Sequence, residues 1–218
     1  MKYVCSVDLG SERDYTAISI VERILKKRDP NIPAKGLWVP KKEPVTIVSE
    51  LHLIDMQRVP LKTPYPKICE ALVQIVNDPE YVNQIQLIVD RTGAGIPIIQ
   101  MMYLYDLCPL GITINSGYTV STTKDNYSVP KRDLIHSLLA AIYTHRFRTP
   151  PPSEMEIIQI FKEELQGFQM KTKTDTGFDT YEAAMERVHD DLVISAAMAV
   201  WWFDKTHGTS TVIKQGEE

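Results

Sequence analysis

Residues 2–24 read KYVCSVDLGSERDYTAISIVERI, two apolar, β-rich runs separated by Asp8, a glycine and a short polar link. The link, GSERD, has the length and composition of a hairpin turn, so the pattern predicts two antiparallel strands. It also leaves an aspartate at the carboxyl end of the first strand. Further along, residues 45–56 (VTIVSELHLIDM) read as a third strand, and residues 85–93 (IQLIVDRTG) as a fully apolar fourth strand ending in Asp90. Residues 110–117 (LGITINSG) read as a fifth.

Between these strands the apolar period changes. Residues 65–77 have helical spacing behind Pro64 and Pro66, and residues 96–107 follow a glycine-rich turn as a helix. Residues 131–146, introduced by Pro130, residues 154–168 and residues 192–205 complete the helices. Antiparallel strands first, β–α units next and helices last predict an α/β fold, a mixed sheet flanked by helices. In such sheets, chemistry is usually found in the loops at the carboxyl ends of the strands. Residues 26–44 (KKRDPNIPAKGLWVPKKEP) are basic, proline-rich and aperiodic, which predicts a surface insertion loop. The segment 207–218 is expected to be a disordered tail, leaving residues 1–206 as one domain.

Composition narrows the function. A net charge of −4 gives no bulk basic signature, so any nucleic-acid surface must be local. Three widely spaced cysteines, Cys5, Cys69 and Cys108, argue against a disulfide framework or a zinc site and fit a reducing cytoplasm. Residue 1 is followed at once by a strand-like run, with no secretory leader expected, and no apolar run reaches the ~18–20 residues a membrane span needs. The expectation is a soluble cytoplasmic protein.

The acidic residues carry the chemistry. Asp8 and Asp90 both end apolar strands before glycine-containing turns, and neighbouring strands would aim both into one crevice. Asp190 and Asp191 stand at the head of the last helix, in RVHDDLVISAAMAVWW (187–202). Each has an ordinary account when taken singly: a turn aspartate at Asp8 and Asp90, a helix cap at Asp190. Together they would repel strongly. Two hard, oxygen-liganded cations such as Mg²⁺ or Mn²⁺, ~3.5–4 Å apart, would resolve that repulsion and form a clamp for phosphodiester cleavage. His189 adjoins the carboxylates and is a candidate for proton transfer to a leaving group. Lys124, Lys131 and Arg132, in and after the polar loop STTKDNYSVPKRD, are candidates for phosphate contact, with a solvated helix start as the plainer account. Lys26, Lys27, Arg28, Lys41 and Lys42 form a second basic cluster.

Four segments carry a resemblance: VDLGSERDYTAISIVE (7–22), IVDRTGAG (88–95), VPKRDLIHSLLAAIYTHRFRTPP (129–151) and HDDLVISAAMAVW (189–201). In this order the chain resembles the nuclease domain of phage terminase large subunits, in the ribonuclease H-like (RuvC-type) superfamily. The resemblance implies a ribonuclease H-like sheet and a metal-dependent endonuclease that cuts concatemeric phage DNA for packaging. It implies Asp8 and Asp90 as metal ligands with Asp190, the first choice, and Asp191. It further implies double-stranded DNA as substrate, two Mg²⁺ or Mn²⁺ ions, and the host cytoplasm as location. The implied partners are an ATPase motor, the small terminase subunit and the portal. No G-x-x-x-x-G-K-[ST] phosphate loop occurs in the sequence, so the expectation is an excised domain or a homologue working with a separate motor. Three other readings stay open. An actin-like ATPase or sugar kinase would use the two aspartate turns as phosphate loops, a Holliday-junction resolvase would prefer branched DNA, and a non-catalytic module would only dock DNA or a partner.

Overall fold

The computed structural model describes residues 1–10, 14–27, 45–93, 95–124, 126–172, 179–183 and 189–213. Among them, nine strands form one sheet built around β1 (Tyr3–Asp8) and β2 (Thr16–Lys27), the antiparallel pair that the opening hairpin requires. The long β3 (Val45–Val59) pairs antiparallel with β2 along its length. On the other side of β1 lies β4 (Ile85–Asp90), parallel to it, then β5 (Leu110–Asn115), also parallel. The polar stretch after β5, expected to be a loop, instead makes a hairpin of β6 (Ser121–Thr123) and β7 (Asn126–Pro130), with β7 parallel to β5.

Helices cover both faces. α1 (Tyr65–Val76) and α2 (Gly95–Tyr103) pack on one face, burying Ile68, Cys69, Leu72, Ile98 and Met102 against Cys5, Val7, Leu87 and Val89. The opposite face carries α3 (Lys131–Tyr143), α4 (Ile157–Gly167) and α5 (Asp191–His207), packed on Val4, Ala17, Val21 and Ile88. Strand side chains alternate between faces with period two. Cys5 and Val7 therefore belong to the α1–α2 face, and Val4, Ser6 and Asp8 to the α5 face. The same count in β4 puts Leu87 and Val89 on one face and Ile88 and Asp90 on the other.

The remaining elements differ most from expectation. β8 (Phe147–Arg148) pairs parallel with Leu51 and His52 of β3. β9 (Phe168–Thr172) and β10 (Asp179–Ala183) form a separate two-stranded sheet. Residues from 207 onward are not wholly disordered, because β11 (Ser210–Ile213) pairs antiparallel with the first residues of β3. Gly208, at φ 69°, ends α5, and Thr209 then accepts the Ser49 N–H, laying the chain along an otherwise open strand edge. Lys26 and Lys27 belong to β2 rather than to an insertion; residues 28–44 and 214–218 lie outside the described residues. No helix among the described residues is long and apolar enough to cross a membrane.

Candidate active site

β1 and β4 run in parallel register from Tyr3 opposite Ile85 to Val7 opposite Val89. One step further, Asp8 and Asp90 end the two strands on the α5 face, and both line one crevice. The turn after each is tight. A Cβ on Gly10 would lie 2.2 Å from the Asp14 carbonyl oxygen, and one on Gly95 would lie 2.4 Å from that of Asp90. Gly10 is pinned on both sides: its N–H donates to Thr16 Oγ1 at 3.0 Å, and its carbonyl accepts from the Tyr65 hydroxyl at 3.0 Å. Asp90 Oδ1 accepts from the Thr92 N–H at 2.8 Å and the Thr92 hydroxyl at 2.6 Å. Thr92 Oγ1 in turn accepts from the Ile114 N–H at 2.9 Å, which ties the Asp90 turn to β5.

α5 supplies the other two carboxylates. Asp190 occupies the cap position, its side chain turned away from the helix amides to accept from Lys131 Nζ at 2.6 Å. Asp191, the first helical residue, is buried, and its Oδ2 has no hydrogen-bond partner among the described residues. Arg58 Nη2 lies 3.7 Å and His189 Nδ1 3.8 Å from that oxygen. The His189 ring meets the Tyr15 ring edge-on, 5.2 Å between centroids.

These groups line an open crevice of about 590 Å³ holding Asp8, Asp14, Asp90, Asp190 and Asp191 with Lys131. Three of these aspartates are shifted toward retaining a proton. Burial, followed by the charges of Asp90, Asp191 and Asp190, pushes Asp8 well above the usual carboxylate range, with Lys131 opposing. Burial likewise raises Asp90 against the pull of the Thr92 hydrogen bonds. Asp191 is pushed up to about 6, again by burial first, with Arg58 and His189 opposing. Among the described residues no three acidic or imidazole groups are drawn together tightly enough to enclose a metal ion as they stand. The donor set nonetheless fits a hard divalent cation: every acidic group is an oxygen donor, and Asp191 Oδ2 is buried without a hydrogen bond.

No protein-family model matches the chain, and no curated protein matches its sequence. Solved structures do match. The nuclease of the large terminase from the thermophilic phage G20c superposes with a TM-score of 0.54 at 16% identity, covering 90% of this chain and 80% of that one. The manganese-soaked terminase nuclease domain of human cytomegalovirus gives 0.51 at 11% identity, covering 96% and 87%. The fold is ribonuclease H-like. At these identities the likeness is one of fold, and the ribonuclease H-like sheet is what places Asp8 and Asp90 next to each other.

The four aspartates singled out in the sequence all line the ribonuclease H-like crevice. The three candidate phosphate contacts divide. Lys131 stands inside the crevice on Asp190, whereas Lys124, at φ 49°, is exposed in the turn between β6 and β7. Arg132 lies over the Tyr118 ring, 4.1 Å from its centroid, and donates to the Tyr118 carbonyl at 3.1 Å. In the second basic cluster, Lys26 pairs with Glu50 at 2.7 Å, while Arg28, Lys41 and Lys42 lie outside the described residues. Sequence reasoning missed Asp14, which the hairpin turn returns to the crevice. It also missed Arg58 and Glu164, which meet only in the folded chain.

Proposed function

We propose that this chain is a divalent-metal-dependent endonuclease of double-stranded DNA, of the kind that cuts concatemeric phage DNA during genome packaging. The observation that carries the reading is the convergence of Asp8, Asp90, Asp190 and Asp191 on one open crevice, at the ends of two parallel strands and the head of α5. The fold likeness to two terminase nucleases supports it, and the manganese used with the cytomegalovirus domain supports the choice of ion.

In this reading Asp8, Asp90, Asp190 and Asp191 would hold two Mg²⁺ or Mn²⁺ ions. Such ions, when bound, supply an activated water and neutralise charge on the attacking and leaving oxygens of a phosphodiester. The chain's own residues do the rest. The Asp8 and Asp90 carboxylates, fixed by strand register and by Thr92, hold the floor of the crevice in place. Lys131 balances Asp190 in the metal-free protein and is placed to meet a phosphate oxygen once DNA enters. His189, at the rim beside Asp191, can hold a proton for the leaving oxygen. Lys124 and Arg132 offer backbone contacts outside the crevice. Packaging would engage an ATPase motor, a small terminase subunit and a portal as partners.

The test is nicking and linearisation of supercoiled plasmid with Mg²⁺, Mn²⁺, Ca²⁺ or EDTA, for wild type beside Asp8→Asn and Asp190→Asn. Cutting should require Mg²⁺ or Mn²⁺ and fall at least ~100-fold in each variant, as expected when a group supporting metal-stabilised charge is lost. Cutting that survives both substitutions would overturn the assignment of these residues.

A further inference from the structure

Beside the crevice sits a guanidinium that no ligand role explains. Arg58, near the end of β3, lies over the Tyr15 ring, 4.6 Å from its centroid, and its side chain is largely buried. Its Nη2 donates to Glu164 Oε1 of α4, yet the same nitrogen is 3.7 Å from Asp191 Oδ2, beyond hydrogen-bond reach. The other Glu164 oxygen, Oε2, accepts from the backbone N–H of Leu192 at 3.1 Å and of Val193 at 3.3 Å. Those are the first-turn amides of α5 that the Asp190 side chain leaves without a cap. Both Glu164 oxygens are therefore committed, and the residue is only 4% exposed, so it is not placed to ligate anything in the crevice.

The competition between two carboxylates for one arginine is what makes this arrangement informative. Charge-assisted arginine–carboxylate bonds are among the strongest side-chain pairs in a buried setting. A guanidinium this near to Asp191 Oδ2 would close onto it if nothing held it back. We infer that Glu164 is a positioning residue that holds Arg58 away from Asp191, keeping Oδ2 open toward a divalent cation while capping the helix that carries Asp190 and Asp191. The inference rests on the metal-dependent reading above. It assigns Glu164 a role through two other residues and no contact with substrate.

The experiment is calorimetric titration of the metal-free protein with MnCl₂ at pH 8, for wild type, Glu164→Gln, Arg58→Gln and the double variant. Glutamine at 164 keeps an acceptor for the Leu192 and Val193 amides but releases the arginine. Glu164→Gln should bind Mn²⁺ about tenfold more weakly, the order of effect seen when groups that orient metal ligands are changed. Removing the released guanidinium as well should restore affinity, so the double variant should match Arg58→Gln to within about twofold. A purely structural role for Glu164 gives no such rescue. Wild-type affinity in Glu164→Gln, or a double variant no better than Glu164→Gln, overturns the inference. If Glu164→Gln fails to fold, Arg58→Gln alone decides: affinity equal to or above wild type is expected, and a tenfold loss overturns the inference, because Arg58 would then be needed to hold Asp191. Wild type that binds no Mn²⁺ overturns this inference and the metal-dependent reading together. Binding by wild type with a flat variant series overturns this inference alone.

Discussion

At the scale of single residues, the crevice holds carboxylates against their preference, and this has a sign in pH. Asp191 moves from an ordinary 3.8 to about 6 on folding, and Asp8 is raised well above its usual range. Between those limits the folded chain binds more protons than the unfolded one, so this contribution to stability is complete below pH 3.8 and is lost as pH rises through 6. The metal-free protein should therefore melt roughly 5 °C higher at pH 5 than Asp191→Asn predicts from its own pH dependence over the same range. On the proposed metal-dependent reading, Mn²⁺ should act oppositely, stabilising strongly at pH 7.5 and less at pH 5, where Asp191 holds a proton. Thermal melts at the two pH values, with and without metal, check both signs. The four aspartates were legible in the sequence because each punctuates an apolar run at a strand end or helix head. Lys131 was legible only as charge at a helix start, since nothing local says that its ammonium turns inward to Asp190. Arg58 and Glu164 are 106 positions apart, and their pairing is a product of β3 and α4 packing on the same side of α5.

At the scale of elements, α5 determines where Asp190 and Asp191 stand, and three buried serines determine where α5 stands. Ser6 Oγ donates to the Ser195 carbonyl at 2.6 Å, and the Ser19 and Ser195 hydroxyls are 2.6 Å apart. All three are fully buried between β1, β2 and the helix. Small side chains at this crossing let the helix approach the sheet closely, and the hydrogen bonds fix its position along the strands. Ser195→Ala strands the Ser19 hydroxyl and should cost ~1–3 kcal/mol in urea unfolding. The Ser19→Ala/Ser195→Ala pair should cost clearly less than the sum of the two single changes, because the stranded Ser19 hydroxyl is gone, while in Ser19→Ala the Ser195 hydroxyl keeps its bond to the Leu192 carbonyl. The far end of α5 is held by Arg146, which donates to both carboxylate oxygens of Asp204 at 3.0 and 2.9 Å and to the Ser49 carbonyl at 3.2 Å. The central strands and long helices were readable from periodicity alone. The strand pairs β6–β7 and β9–β10 were not, since strands of three to five residues carry too little alternation to read.

At the scale of the whole molecule, the sheet has two unlike edges. β6 ends one side in three exposed residues, too short to template another strand. On the other side β3 is long, and two separate short strands share the task of covering it: β11 over residues 45–48 and β8 over residues 51–52. Deleting residues 209–218 removes β11 and leaves the outer edge of the start of β3 open. The shortened chain should keep its crevice but associate with concentration, read as a rising weight-average mass in light scattering, while the full chain stays constant.

β1 has a different situation from either edge. It has a hydrogen-bonded neighbour on each side and a helical layer on each face, and it ends in Asp8. Its amides should be among the last to exchange with deuterium, opening only when the domain as a whole does. The floor of the crevice is thus built on one of the most enclosed strands among the described residues. In the proposed nuclease, a switch of activity would then work by admitting or refusing the DNA, because bending the end of β1 would require unfolding the sheet around it.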